Sequence, residues 1–201
     1  MKKFLLSAVA SSVIATGLFA NGLYVGIGSG QSDSDLNTSV QSGASLDEKD
    51  TSYQAFVGYS FNDFIAVEAN YNDFGESTLD FDSNGQFTVD GYTFNPGVDG
   101  RVKTKTKAYG ISAVASYPLH KYFVPFAKFG IQRYKISATS ETTIGYDKTK
   151  LDGYDYNYGV GFNSNINDNF ATRVSYEKFE MEDNLDVENL AFSLIYKFNT
   201  K

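Results

Sequence analysis

The stretch TSYQAFVGYSFNDFIAVEANYNDF, residues 51–74, decides the fold. Apolar residues alternate with polar or small ones along both halves, and a short turn at 62–64 separates the halves. This alternation is typical of β-strands, and a short turn joins antiparallel neighbours. The apolar face holds Tyr53, Ala55, Val57 and Tyr59 in the first half and Ile65, Val67, Ala69 and Tyr71 in the second. The other face of the second half carries Glu68, Asn70 and Asn72, so the stretch predicts a hairpin with one apolar and one polar face.

Six further runs alternate in the same way, and the predicted strands are Gly22–Ser32, Thr51–Phe61, Phe64–Phe74, Thr104–Tyr117, Tyr122–Ile136, Tyr154–Phe162, Phe170–Phe179 and Val187–Phe198. The links at 62–64, 119–121 and 163–169 are short, whereas the other four are longer. This segregation is typical of a barrel inserted in a membrane. We therefore predict an all-β fold, a closed, antiparallel, up-and-down, eight-stranded transmembrane β-barrel that encloses its polar face. A soluble lipocalin-like barrel is the alternative.

The composition argues against several classes of function. The chain of 201 residues contains no cysteine, which leaves no thiol or disulfide chemistry, and its one histidine is His120 in the short link at 119–121. An enzyme that modifies lipid A would need a histidine beside a serine or aspartate near the outer leaflet, and no such triad is visible. We expect no enzymatic activity and no cofactor.

Residues 1–20 have the pattern of a secretory signal peptide, with Lys2 and Lys3 before an apolar run and Ala20 at the cleavage point. A cut after Gly17 is a second option, and a permanent N-terminal anchor is disfavoured because the apolar run is short. Residues 21–201 are then the barrel domain. Removing two of the 17 basic residues leaves 15 against 24 acidic ones, a net charge of −9 that does not suit nucleic-acid binding.

Four stretches resemble OmpA-like small outer-membrane barrels, in the order that the family has them. They are FNDFIAVEANYNDFGE (61–76), SYPLHKYFVPFAKFG (116–130), NFATRVSYEKF (169–179) and LAFSLIYKF (190–198). The resemblance implies location in the Gram-negative outer membrane and places Tyr196 and Phe198 in the ending that the barrel-assembly machinery recognises. The sequence departs from the pattern at Val114, where OmpA has a lysine, and in the three residues after Phe198. We expect no peptidoglycan-binding domain after the barrel, so the resemblance does not imply cell-wall tethering.

The charged residues Glu68 and Arg173 fall on the predicted inner face, where the resemblance implies an ion-paired plug. Lys128, Asp155 and Glu177 fall on the same face and could join them. An enclosed charge must be paired or hydrated, because burying it alone is costly. Two interpretations stay open: a gate on a narrow water path and a purely structural network. An eight-stranded barrel filled by its own side chains disfavours a wide pore.

A second set of charges lies on the outward face above the predicted hydrocarbon level. Lys103, Lys105 and Lys107 alternate along the fourth strand. If Tyr117 faces Phe123, then Lys107 faces Arg133 and Lys105 faces Lys135, which gives one basic patch of five residues. We expect this patch to contact the phosphates of lipopolysaccharide. A solvated surface is the alternative.

The predicted long loops carry further candidates for binding. The stretch TLDFDSNGQFTVD (78–90) alternates on both sides of Asn84-Gly85 and predicts a projecting hairpin. Its apolar face is a candidate site for a host or phage surface partner, or it packs on neighbouring loops. Two further sets of loop residues are acidic and could bridge cations or simply be solvated: Asp33, Asp35, Asp47, Glu48 and Asp50, and Glu180, Glu182, Asp183 and Asp186. The leading interpretation is a structural or surface-interaction barrel in contact with outer-membrane lipid, and the alternative is a narrow porin-like channel gated by the Glu68–Arg173 pair.

Overall fold

The computed structural model describes residues 22–35, 38–89, 91–181 and 185–198, and the predicted signal peptide lies outside these ranges. The strands are β1 Leu23–Asp35, β2 Thr38–Val40, β3 Ala44–Asp47, β4 Lys49–Ser60, β5 Ile65–Phe81, β6 Phe87–Val89, β7 Tyr92–Phe94, β8 Gly100–Ser116, β9 Val124–Thr142, β10 Gly145–Asn165, β11 Phe170–Met181 and β12 Leu185–Lys197. In the described ranges, no helix has the length and apolar character needed to cross a membrane.

Eight long strands form a closed barrel. Their order is β5–β4–β1–β12–β11–β10–β9–β8, and the pairing of β5 with β8 closes the ring. Every neighbouring pair in the ring is antiparallel. The predicted fold class, an antiparallel eight-stranded barrel, is confirmed.

The interior is built in layers. A lower cluster of apolar side chains lies near the short turns and consists of Tyr24, Phe56, Ala66, Val114, Phe126, Ala171 and Ile195. An upper cluster lies near the long loops and consists of Phe74, Ala108, Tyr134, Ile136, Phe179, Met181 and Val187. Polar side chains fill the level between them, since Glu68 follows Ala66 and precedes Phe74 on β5, and β8, β9, β11 and β12 repeat this order. Apolar side chains therefore lie above and below a polar middle, and a cavity of about 480 Å³ at the end near the short turns reaches as far as Arg173.

One side of the barrel rises higher than the other. Strand β10 pairs with β9 from Gly145 to Asn163, but it pairs with β11 only from Asn157 to Asn165. Strands β5, β8 and β9 also continue upward, and β3 pairs with the top of β5 where β4 has ended. We call these upper parts of β3, β5, β8, β9 and β10 the high wall.

The predicted register between the fourth and fifth strands was wrong by two residues. Lys107 faces Lys135, and Arg133 faces Tyr109, whereas the prediction placed Lys107 opposite Arg133. The link is wider than assumed, because its tight turn closes between His120 and Phe123. Tyr117 consequently lies opposite Pro125, and its N–H donates to Pro125 O at 2.9 Å. The prediction had placed Tyr117 opposite Phe123.

The predicted hairpin at 78–90 was also wrong. A turn does form there, with the N–H of Gly85 donating to Asp82 O at 2.8 Å. Leu79 and Phe81, however, are buried in β5, whose two edges are already occupied by β3 and β8. Strand β6 therefore pairs with β2 and β7 instead, in a small separate sheet above the barrel.

Candidate functional site

A cluster of four charged side chains, which we call the plug, lies in the middle of the barrel. Arg173 Nη1 lies 2.8 Å from Glu68 Oε1, and Lys128 Nζ lies 2.9 Å from Glu177 Oε2. Lys128 Nζ also lies 3.6 Å from Glu68 Oε2, so the two pairs form one network. All four residues are at most 4% exposed. Two cations and two carboxylates thus balance one another in a site from which water is largely excluded.

Side chains of the lower cluster, together with Asn163, hold the plug in place. The Tyr24 hydroxyl donates to Glu68 Oε1 at 2.7 Å, and Arg173 Nε donates to Asn163 Oδ1 at 2.8 Å. The guanidinium of Arg173 lies between the rings of Phe56 and Phe126, 4.6 Å from each centroid. Cation–π contacts of this kind are strongest where water is excluded.

Glycines on neighbouring strands make room for the aromatic rings of the lower cluster. Tyr24 faces Gly58 across β1 and β4, and Phe56 faces Gly26 across the same pair. A Cβ atom on either glycine would lie 2.2 Å from the Cζ atom of the facing ring. The repeated glycines of β1 and β4 are a sequence signal for this arrangement, although alternation alone identifies only the inner face.

Not every predicted member joins the plug. The Asp155 carboxylate, which was predicted to be a partner, accepts a bond from the N–H of Tyr156 at 2.8 Å on the upper part of β10. Above the plug, Asn157 is fully buried, and both of its side-chain polar atoms lack a hydrogen-bond partner in the structure. Buried amides without protein partners are commonly satisfied by internal water.

The five predicted outer cations lie together on the outward face of β8 and β9, but carboxylates offset most of their charge. Lys103 and Lys105 share Glu76 at 2.9 and 3.3 Å, and these two ammonium groups, Lys103 foremost, hold the pKa of Glu76 below its ordinary value. Lys107 lies 2.6 Å from Asp73.

Arg133 and Lys135 continue the cluster on β9. Arg133 pairs with Asp152 on β10, and its guanidinium holds the pKa of that carboxyl below the ordinary value. Lys135 Nζ lies 5.4 Å from the ring centroid of Tyr109. The other four cations each have a carboxylate partner, whereas Lys135 has no carboxylate within 4 Å among the described residues.

The predicted basic patch did not include two further lysines of this face. Lys148 and Lys150 lie on β10 at the levels of Thr139 and Ser137, which in turn face Lys103 and Lys105 on β8. The sequence pattern predicted that this strand begins at Tyr154, because residues 145–153 are mainly polar and show no apolar alternation. Both added lysines are exposed and increase the positive charge of the high wall.

The upper part of β10, residues 145–156, has a free edge. On one side it pairs with β9, and within the described ranges no strand pairs with its other side. The N–H groups of Lys148 and Tyr156 donate to the side chains of Asp147 and Asp155, which indicates that even-numbered residues direct their N–H groups to this edge. An exposed strand edge is a template for pairing with another chain.

The remaining predictions concern assembly and catalysis. Tyr196 packs against Phe170 and Phe198, with ring centroids 5.2 and 4.9 Å apart, at the end of the barrel near the short turns. The role of Tyr196 and Phe198 in assembly stays a prediction. In the part of the chain that the structure describes, no three or more histidine, cysteine or carboxylate side chains lie together in a way that could hold a metal ion.

Comparison with known proteins agrees with this architecture. The profile of the outer membrane protein beta-barrel domain matches residues 4–198. Ail, the attachment invasion locus protein of Yersinia pestis, solved in complex with the heparin analogue sucrose octasulfate, is 18% identical with a TM-score of 0.51, over 87% of this chain and 98% of that one. Neisserial surface protein A (NspA) is 15% identical with a TM-score of 0.54, over 89% and 98% of the two chains.

OprG of Pseudomonas aeruginosa is 14% identical with a TM-score of 0.54, over 90% of this chain and 98% of that one. At these identities the likeness shows a shared fold. A search of curated proteins finds no match.

Proposed function

We propose that this chain, which belongs to the outer membrane protein β-barrel domain family, is a closed barrel with a surface-binding role. It binds a protein on a host cell or a phage through the free edge of β10. Its place is the Gram-negative outer membrane. The barrel acts as a rigid membrane anchor, and the high wall carries the binding edge away from the lipid. The proposed role is non-enzymatic.

The free edge is the observation that carries this proposal. Residues 145–156 form a strand with β9 on one side and, among the described residues, no strand on the other. An extended segment of a partner can add to such an edge through main-chain hydrogen bonds, and alternate side chains then supply specificity. The outward side chains of this edge include Tyr146, Lys148 and Tyr154, which are all exposed. Tyrosine is enriched at protein–protein interfaces, so Tyr146 and Tyr154 suit a protein partner.

The layered interior supports a closed barrel rather than the narrow channel that the sequence left open. Water that entered from below would meet the lower cluster, where Val114, Ala171 and Ile195 are each at most 3% exposed. Water from above would meet Phe179, Met181 and Val187, which are fully buried. Opening only the Glu68–Arg173 pair leaves both apolar layers in place.

Adhesion of whole cells tests the proposal. Non-adherent Gram-negative cells that display the chain should gain adhesion to cultured epithelial cells. Lys150→Pro should abolish this gain, because proline removes an N–H group that faces the free edge and leaves the pairing with β9 intact. The matched variant Lys150→Ala removes the charge but keeps the N–H group, and it should retain adhesion. No gain with the wild-type chain would contradict binding to a host-cell protein, and equal adhesion of both variants would contradict binding through the edge of β10.

A second candidate role is contact with lipopolysaccharide through the outward cations Lys103, Lys105, Lys107, Arg133 and Lys135. The observation that favours it is the charge of this face, to which Lys148 and Lys150 add without an ion-pair partner within 4 Å among the described residues. Basic groups at the height of the lipid headgroups attract phosphates. This contact involves the surface of the membrane that carries the barrel, so it is compatible with binding at the edge of β10.

A further inference from the structure

We propose that a groove on the outer face of the barrel binds an acyl chain of lipid A, with a lipid A phosphate against Arg133 and Lys135. The inference rests on the lipopolysaccharide contact proposed above and adds the position of the bound lipid. It does not depend on the free edge of β10.

The groove crosses the outward face of β1, β4, β5, β8 and β9, reaches Tyr154 on β10 and has a volume of about 1300 Å³. Its outward-facing lining is mostly aliphatic and aromatic and includes Ile27, Ala55, Val57, Ala69, Ile111 and Ile131. The small side chains of Ala55 and Ala69 lie beside larger ones on the neighbouring strands, where Ala55 faces Ile27 and Ala69 faces Ile111. A barrel surface is convex, and small residues between large ones create a local depression.

Cations line one end of this groove. Ala69, Ile111 and Ile131 face one another in one cross-strand row, and the row above it contains Tyr71, Tyr109 and Arg133. Lys135 lies in the next row, opposite Lys107. The apolar groove therefore ends at an aromatic row and then at basic side chains, which is the order of acyl chain, interface and phosphate in a lipid.

The charge at the basic end of the groove indicates which kind of molecule the groove binds. Lys107, Arg133 and Lys135 carry three positive charges, and their neighbours Asp73 and Asp152 carry two negative ones. The residual positive charge favours an anionic headgroup over a zwitterionic one. Lys135 lies over the ring of Tyr109 and has no carboxylate within 4 Å among the described residues, so its ammonium group is available to a phosphate. Apolar chains joined to phosphates at the outer-leaflet surface are the chemistry of lipid A, whereas a protein partner would have to displace lipid from the groove.

Two kinds of variant separate the groove from the phosphate contact. Ala69→Phe fills the groove without changing charge, and Ala127→Phe adds the same ring at an outward alanine that does not line the groove. Arg133→Gln with Lys135→Gln removes the phosphate contact, and Lys178→Gln is the control for loss of a cation elsewhere on the outer surface. Ala55→Phe replaces Ala69→Phe if the latter fails to fold, as judged by its mobility in unheated gels.

Native mass spectrometry of the refolded barrel in phosphatidylethanolamine nanodiscs doped with lipid A gives the readout. We expect Ala69→Phe and the double glutamine variant each to lower the fraction of barrels with bound lipid A, by roughly tenfold in apparent affinity. Ala127→Phe and Lys178→Gln should match the wild type. Dephosphorylated lipid A should bind the wild type as weakly as intact lipid A binds the glutamine variant.

Each contrary outcome has its own meaning. If Ala69→Phe binds like Ala127→Phe while the glutamine variant loses lipid A, the groove is not the site, although the lipopolysaccharide contact stands. If the glutamine variant also binds like the wild type, the contact and the groove both fail. Arg133 contacts Asp152 and Tyr154 on the upper part of β10, so cell adhesion is compared between the wild type and Ala69→Phe, whose substituted residue lies on β5.

Discussion

Arg173 shows how a single residue depends on the whole lower half of the barrel. Its guanidinium is bound by the Glu68 carboxylate and the Asn163 amide and is enclosed by the rings of Phe56 and Phe126. A buried charge is tolerated only while such partners remain, because removal of one partner leaves the other charge uncompensated. The plug is therefore the part of the interior where one substitution should have the largest effect.

Arg173→Ala should lower the free energy of unfolding by about 3–5 kcal/mol, the usual cost of breaking a buried ion pair. Glu68 would keep Lys128 at 3.6 Å as its remaining cation. Urea unfolding of the refolded barrel in lipid vesicles, followed by tyrosine fluorescence, measures the loss. Because the two charges are coupled, the Glu68→Ala/Arg173→Ala double variant should lose less than the sum of the two single variants. Additive losses would show that the pair does not act as a unit.

The sequence predicted which charged residues face inward, but it did not predict their surroundings. Alternation placed Glu68, Lys128, Arg173 and Glu177 on the inner face, and the structure brings all four within one network. The contacts of Tyr24, with its hydroxyl on Glu68, depend on which strands meet across the barrel. A period of two gives the face of a residue and carries no information about its partner on a strand far along the chain.

At the scale of the strand, pairs of glycine and aromatic residues fit the lower cluster into the barrel. Gly58→Ala should cost about 1–3 kcal/mol, because the new methyl group would lie 2.2 Å from Tyr24 Cζ and move its hydroxyl away from Glu68. Gly145→Ala is the control, since a methyl group added there would have no atom within 4 Å. The same urea titration compares the two, and equal losses would contradict a steric role for Gly58.

The membrane-facing parts of the strands were predictable, whereas their upper ends were not. The prediction ended the third strand at Phe74, but β5 continues to Phe81 beyond a bulge at Gly75, where φ is +79°. The extra residue shifts the alternation, so that Glu76 faces outward and Leu79 is buried. Bulges change the phase of a strand without a clear pattern in the residues themselves. The upper part of β10 was not predicted for a related reason. Both of its faces are exposed to solvent, so no apolar alternation marks it as a strand.

At the scale of the molecule, two apolar layers and a neutral polar middle make the barrel a closed body. The plug contributes two positive and two negative charges, which balance without an ion from solution. Lys135, Lys148 and Lys150, which have no carboxylate within 4 Å among the described residues, lie outside, on the high wall and beside the groove. This division assigns stability to the interior and recognition to the outer surface.

Conductance in a planar bilayer tests this closed architecture most directly, with the refolded wild type and Arg173→Ala measured side by side. Both should be silent, because removing the guanidinium leaves Val114, Ala171 and Ile195 below the plug and Phe179, Met181 and Val187 above it. The variant should differ only in its lowered stability. Steady small openings of the wild type that grow in Arg173→Ala would contradict a closed barrel and would make the Glu68–Arg173 pair the gate of a narrow channel.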